Sequence, residues 1–208
     1  CYRLIRLLNN IEYVSRIDNG TCTLELRKCD IVKLLENIVK ISKTYTDKKG
    51  IDISFKSEVN KKILSLDIDK VEKIILNILS NAIKFTDTGG RIDINLYMEN
   101  EQVCISIKDT GIGIPKDKTE VIFENFEQLD TTLSRGCEGT GMGLSVVKKL
   151  ANLNNIKITV ESELNKGSEF IITLPNNIVS KNIKLQDKFA QDEKIDIEFS
   201  DIYLNLTS

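Results

Sequence analysis

The sequence predicts an α+β two-layer sandwich, one mixed sheet with helices stacked on one face. Three observations carry that expectation. Strand-like runs come in pairs, GRIDINLYME with QVCISIKD and IKITVES with SEFIITLP. Helical segments are interspersed among the strands instead of collecting at one end. The composition, 41% hydrophobic and 29% charged over 208 residues with two prolines, suits a globular chain with one substantial core.

Taken in order, Tyr2 to Ile17 repeats apolar residues at Leu4, Leu7 or Leu8, Ile11 and Val14, the spacing of a helix packed along another helix. One helix cannot bury its own stripe, so its partner is expected upstream or in another chain, with packing on the rest of the domain as the alternative. Asp18-Asn19-Gly20 then supplies a stop, Gly being the usual left-handed cap residue. CTLELRKCD predicts a short strand, and Asp30 a cap for a helix from Ile31 towards Thr46. IDISFKS and KILSLDI predict two further strands, and Asp69 can open the helix that follows. The alternation in 90–99 and 102–109 around the tight Glu99-Asn100-Glu101 connection is a hairpin signal. Lys118–Phe126 is expected to be helical, residues 127–140 to form a mobile loop, and Ser145–Leu153 to be helical. The last pair of strands ends at Pro175. Beyond it, Ile195, Ile197 and Phe199 alternate as in a strand.

Charge and composition narrow the function. A net charge of -2 gives no basis for nucleic acid or an anionic membrane as partner. No run of about 18 apolar residues is present, as a membrane span would need. The five cysteines are scattered, with no CxxC, which points to a reducing cytoplasm rather than to disulfides or zinc. The absence of histidine removes His-based acid–base catalysis.

Three short motifs carry chemistry. In LNILSNAIKFT, Asn77 and Asn81 lie one turn apart in a good helix, although Asn costs roughly 0.7 kcal/mol against Ala in a helix interior. Ile75, Ile78, Leu79 and Ala82 make the core stripe; Lys73, Asn77, Ser80, Asn81 and Lys84 make the other side. The 77, 81, 84 spacing stacks two amides and an ammonium, which can hold a hard cation and phosphates, or simply form a solvated face. DTGIGIP follows directly on a strand. Asp109 can accept a hydrogen bond from a planar amine such as that of adenine, with Gly111 and Gly113 letting the backbone bend, or it can be a capping aspartate in a turn. GTGMGLSVVKKL places Gly139, Gly141 and Gly143 before an amphipathic helix, whose free N–H groups suit phosphate. It is neither a P-loop nor the dinucleotide fingerprint.

Together, in this order, the motifs resemble those of the catalytic ATP-binding domain of sensor histidine kinases, within the superfamily shared by gyrase-type ATPases, heat-shock chaperones and MutL. NILSNAIKFT matches the N box, DTGIGI and GTGMGL the two glycine boxes, IFENFEQLD the phenylalanine box, and GSEFIITLP the closing strand. The likeness runs back through LELRKCDIVKLLENIV and SRIDNG to about Leu4, some 170 residues. It implies the Bergerat-type fold and three segments: 1–20 the end of the dimerisation helix, 21–175 the catalytic domain, and 176–208 an extension of unassigned role.

The resemblance further implies ATP and Mg²⁺ as ligands. By position, Asn81 is the expected metal ligand, Asn77 a second contact near the phosphates, and Lys84 a phosphate contact. Asp109 is expected to read adenine, with Gly111 and Gly113 shaping that wall. Gly139, Thr140, Gly141, Gly143 and Leu144 are expected to wrap the triphosphate. The lid is expected over Glu127–Glu138, anchored by Phe123 and Phe126, with Arg135 as its cation for the γ-phosphate; the chain departs from many relatives in carrying Gln128 where they have Arg or Lys. Asn77, Lys84 and Arg135 are the candidates for a catalytic role.

The reaction implied is transfer of the γ-phosphoryl of ATP to a histidine, which relies on positioning and charge neutralisation. The superfamily's ATPases place Glu four residues before the metal-binding Asn; Asn77 stands there instead, which favours a kinase over a hydrolase. Lacking a histidine, the chain reads as part of a longer kinase whose acceptor lies upstream. Expected partners are the upstream dimerisation helices, a response-regulator receiver domain, and a second copy in the full-length protein. The alternatives are a nucleotide-binding regulatory module without transfer activity and a stand-alone ATPase.

Overall fold

A computed structural model describes residues 2–124, 141–175, 185–186, 192–200 and 202. Helix α1 (Tyr2–Asp18) leads through an irregular segment into β1 (Arg27–Asp30), α2 (Ile31–Lys49), β2 (Asp52–Ser57), β3 (Ile63–Leu66) and α3 (Ile68–Phe85). The hairpin of β4 (Arg91–Glu99) and β5 (Gln102–Asp109) follows, then α4 (Gly143–Leu153) and the strands β6 (Lys157–Glu163) and β7 (Gly167–Leu174). A short strand β8 (Leu185–Gln186) and helix α5 (Asp192–Glu198) come last.

The main sheet has the order β2-β4-β5-β7-β6, antiparallel except for the parallel β2–β4 pair, so the expected mixed sheet is present. Register is set by the period-2 pattern: Ile92, Ile94, Leu96, Val103, Ile105, Ile107, Phe170, Ile172 and Leu174 all turn to one buried face. There they share a core with Leu34, Leu35 and Ile38 of α2, Ile74, Ile75, Ile78 and Leu79 of α3, and Val146, Val147 and Leu150 of α4. The hairpin is closed by Asn100 and Glu101, both with positive φ, the backbone a two-residue turn demands.

Several local expectations are corrected. Only Arg27–Asp30 of the predicted first strand is extended in a sheet, pairing antiparallel with β3 and parallel with β8. Asp30 precedes α2 but its side chain does not cap it; Oδ1 accepts from the Lys62 amide at 3.2 Å instead. Helix α3 opens at Asp67, not Asp69: Asp67 Oδ1 accepts from the Lys70 amide at 3.2 Å, while Oδ2 accepts from the Glu25 amide at 2.9 Å. Asp69, already inside the helix, pairs with Arg27 and Lys194. Residues 116–123 form two 3₁₀ turns, Lys116–Lys118 and Val121–Phe123, in place of one helix, and Phe126 lies outside the described residues.

The tail shows the largest departure. Ile195 and Phe199, read as strand alternation, lie one helical turn apart in and just after α5, both fully buried, with Ile197 only half-buried. Phe199 meets the Tyr45 ring edge to face at 4.9 Å, and Tyr45 donates to Asp196. Helix α1 also packs internally, through Arg6 and Asn10, with Tyr13, Val14 and Ile17 partly buried against the core. Leu4, Leu8 and Ile11 remain exposed along its outer side.

Candidate functional site

Helix α3 is the spine of the site. Asn77, Asn81 and Phe85 follow one another at one-turn spacing on one side of it. At the upper turn, Gly143 comes so close that a Cβ on it would stand 3.0 Å from Asn77 Oδ1, so the entry to α4 is seated on Asn77. At the lower turn, the Phe85 carbonyl accepts from the Ile112 amide at 3.2 Å, and a Cβ on Gly111 would stand 2.4 Å from that oxygen. The DTGIGIP turn is therefore seated on the end of the same helix. Half-buried Asn81 lies one helical turn from each of these two contacts.

The predicted open face of α3 is only partly open. Lys73, Asn77 and Ser80 are covered by α5: Lys73 pairs with Glu198, Asn77 Nδ2 donates to Glu198 Oε2 at 3.2 Å and to the Lys73 carbonyl at 2.8 Å, and Ser80 Oγ donates to the Glu198 carbonyl at 3.2 Å. Asn77 is 0% exposed. Lys84 is buried too, its ammonium 5.0 Å from the Phe85 ring centroid. Lys49 Nζ donates to the carbonyls of Ile83 and Lys84, both at 2.7 Å, which satisfies the last turn of α3 with a cation.

Asp109 ends β5 in a buried position, and its Oδ1 accepts from the amides of Gly111 at 2.8 Å and Ser168 at 3.3 Å. Burial pushes this carboxyl above its ordinary range, against the pull of those two amides. Gly113 has φ +68°, and a Cβ there would meet the Glu163 carbonyl at 2.1 Å, so both conformation and space demand glycine. Phe123 meets Phe170 edge to face at 6.4 Å.

At α4, the first intrahelical bond runs from the Val146 amide to the Met142 carbonyl at 3.0 Å, and among the described residues no side chain caps the entry. The amides of the first turn thus lack intrahelical acceptors and present a positive helix end. Gly141 takes φ +66° before it, and Leu144 is half-buried against the core. Gly139, Thr140 and Arg135 lie outside the described residues, as does the predicted lid.

The model of the family described as "Histidine kinase-, DNA gyrase B-, and HSP90-like ATPase" matches residues 66–178, more than half of the chain. The chain belongs to this ATPase family. Within it, the kin are histidine kinases. The chain is 29% identical over 183 residues to the circadian input-output histidine kinase CikA of Synechococcus elongatus, covering 87% of this chain and 24% of that protein. It is 32% identical over 173 residues to the sensor protein SrrB of Staphylococcus aureus, covering 83% of this chain and 30% of SrrB. Full-length ShkA, solved in complex with AMPPNP, superposes with a TM-score of 0.75 at 28% identity, covering 84% of this chain and 36% of that one. The chain thus spans under a third of the length of these two curated relatives.

For this histidine-kinase ATPase domain, the donor set limits how a metal can be held. Among the described residues no three His, Cys, Asp or Glu side chains gather as a metal cage. A hard ion at Asn81 would take one amide oxygen here and its other ligands from phosphate and water, the pattern Mg²⁺ favours. Among the described residues no helix is long and apolar enough to cross a membrane.

Sequence reasoning named Lys73 and Asn77 but missed their partners Glu198 and Arg6. The carboxylate reaches α3 from a segment 121 positions beyond Asn77, and no local spacing signals such a contact.

Proposed function

We propose that the chain is the catalytic part of a two-component sensor histidine kinase, binding Mg²⁺-ATP and passing the γ-phosphoryl to a histidine outside this sequence. One observation carries the reading: the α4 entry is seated on the Asn77 side chain and the DTGIGIP turn on the Phe85 carbonyl at the end of α3, each one turn from Asn81. A nucleotide lying along that stretch of α3 meets Asp109 at one end and the amides of the α4 entry at the other.

In this reading Asp109 accepts from the adenine amino group, and Gly111 and Gly113 form the wall beside the ring. The amides around Gly141, Gly143 and Leu144, with Gly139 and Thr140, hold the phosphates at a helix N-terminus. Asn81 supplies the protein oxygen for Mg²⁺, while Asn77 and Lys84 orient and neutralise the phosphates, joined by Arg135. When bound, Mg²⁺ neutralises charge developing on the phosphate oxygens. The protein's part is alignment for in-line transfer, which needs no strong base when the acceptor is imidazole. Residues 1–20 belong to the dimerisation helix, residues 21–175 to the catalytic domain, and residues 176–208 extend it. Leu4, Leu8 and Ile11 suit a partner helix of a full-length homodimer. A response-regulator receiver takes the phosphoryl group onward.

The test incubates the chain with γ-labelled ATP and Mg²⁺, alone and with a separate acceptor-helix domain. Acid-labile label is expected on the acceptor and none on this chain, which contains no histidine. Acid-labile label on the chain alone, or rapid ATP turnover without acceptor, contradicts the reading.

A further inference from the structure

Four groups from three separate parts of the chain meet beside the α4 entry. Arg6 of α1 places Nη2 3.4 Å from Asn77 Oδ1 and Nε 3.4 Å from Glu198 Oε2. Lys73 of α3 pairs with the other oxygen of Glu198 and lies 5.7 Å from the centroid of the Tyr13 ring. Arg6 is 5% exposed and Lys73 7%. A Cβ on Gly143 would stand 3.9 Å from Arg6 Nη2, so the guanidinium borders the amide-rich start of α4 directly. Burial pushes the Lys73 ammonium down, against the Glu198 carboxylate that pulls it back up.

Two buried cations side by side are stable only with an anion between them. That anion is supplied from the tail, by a helix of seven residues. One turn after Arg6, Asn10 is 0% exposed, and neither of its amide atoms has a hydrogen-bond partner among the described residues.

We propose that Arg6, Lys73 and Asn77 form an anion site beside the α4 entry, filled by the Glu198 carboxylate in this chain and taking the terminal phosphate of the nucleotide when α5 withdraws. The proposal rests on the nucleotide-binding reading above. The tail is then an internal competitor of ATP but not of ADP, whose shorter phosphate chain leaves the site to Glu198. Arg6 gives the same site a second consequence, because it ties α1 to the phosphate end of the nucleotide.

The test titrates the full chain and its Glu198→Gln variant with ATP and with ADP, both with Mg²⁺, by calorimetry. Removing the competing charge is expected to tighten ATP binding about tenfold while ADP changes less than about twofold, the scale of one charge-assisted contact. Adding Lys73→Gln to Glu198→Gln should abolish the gain for ATP. Lys73→Gln alone, with Glu198 intact, supplies the answer should the first variant misfold: it should lower the ATP-to-ADP preference. Equal tightening of both nucleotides, or no change in either, overturns the site while leaving nucleotide binding intact. If the unaltered chain binds neither nucleotide, the nucleotide-binding reading and the anion site fall together.

Discussion

Asp109 holds two opposed demands. It is buried at a strand end, and its Oδ1 already serves two backbone amides. Because burial raises its folded pKa, the folded chain retains the proton at higher pH than the unfolded chain does. Between the ordinary value of 3.8 and the raised one, the unfolded state is the more ionised, so stability falls as pH rises through that window. The carboxylate is therefore a cost to the fold at neutral pH. Asp109→Asn should leave the melting temperature at pH 7 unchanged or higher. ATP affinity in the same variant should fall about 10- to 150-fold, because an amide donor would then face the adenine amine. Thermal unfolding and calorimetry on one preparation read both effects. The sequence placed this aspartate at a strand end before a glycine turn, and it stands there. Its second donor, Ser168, lies on β7, beyond any local pattern.

Among elements, α3 was legible and α5 was not. The apolar stripe of α3 predicted its core face correctly, since Ile75, Ile78, Leu79 and Ala82 are all buried. Its start lies two residues before the expected cap, because Asp67 and Asp69 are equally good cap residues and only the Lys70 amide decides between them. In and just after α5, apolar residues at 195, 197 and 199 satisfy a period of two, yet 195 and 199 also satisfy one helical turn. Three residues cannot separate the two periods. The helix is anchored partly by Lys194, which pairs with Asp69 and lies 3.2 Å from Glu72. Burial alone would raise the Asp69 carboxyl, but Lys194 and Arg27 together hold it below its ordinary value. A lowered carboxylate contributes stability that is full above 3.8 and lost as pH falls through its folded value. The amide resonances of residues 192–200 should therefore move towards unfolded positions as pH drops below about 4, ahead of those of β5. In Lys194→Gln the two should no longer separate in this way. Simultaneous loss of both in the unaltered chain would remove the anchoring role of that pair.

Across the molecule, stability is graded. Strands β4, β5 and β7 exchange hydrogen bonds along their whole length and bury one face, whereas α5 is one short helix held by Phe199, Ile195 and a few ion pairs. Amide hydrogen exchange should show β5 opening only with global unfolding, and α5 opening independently at lower free energy. Identical, denaturant-sensitive exchange in both would show that the tail is part of the cooperative core. Such an opening is what the competition between Glu198 and a phosphate requires. From the sequence alone came the mixed sheet, the amide-bearing helix, the two glycine turns and the family, because periodicity and glycine spacing are local properties fixed by backbone geometry. Only the tertiary structure decided that the α4 entry meets Asn77 and the DTGIGIP turn the Phe85 carbonyl, one turn to each side of Asn81, that Lys73 and Asn77 are buried, and that a tail carboxylate neutralises a cation from α1 and another from α3. The contacts to the tail carboxylate join residues more than a hundred positions apart, and their energy comes from desolvation and charge pairing, which leave no periodic trace in the chain.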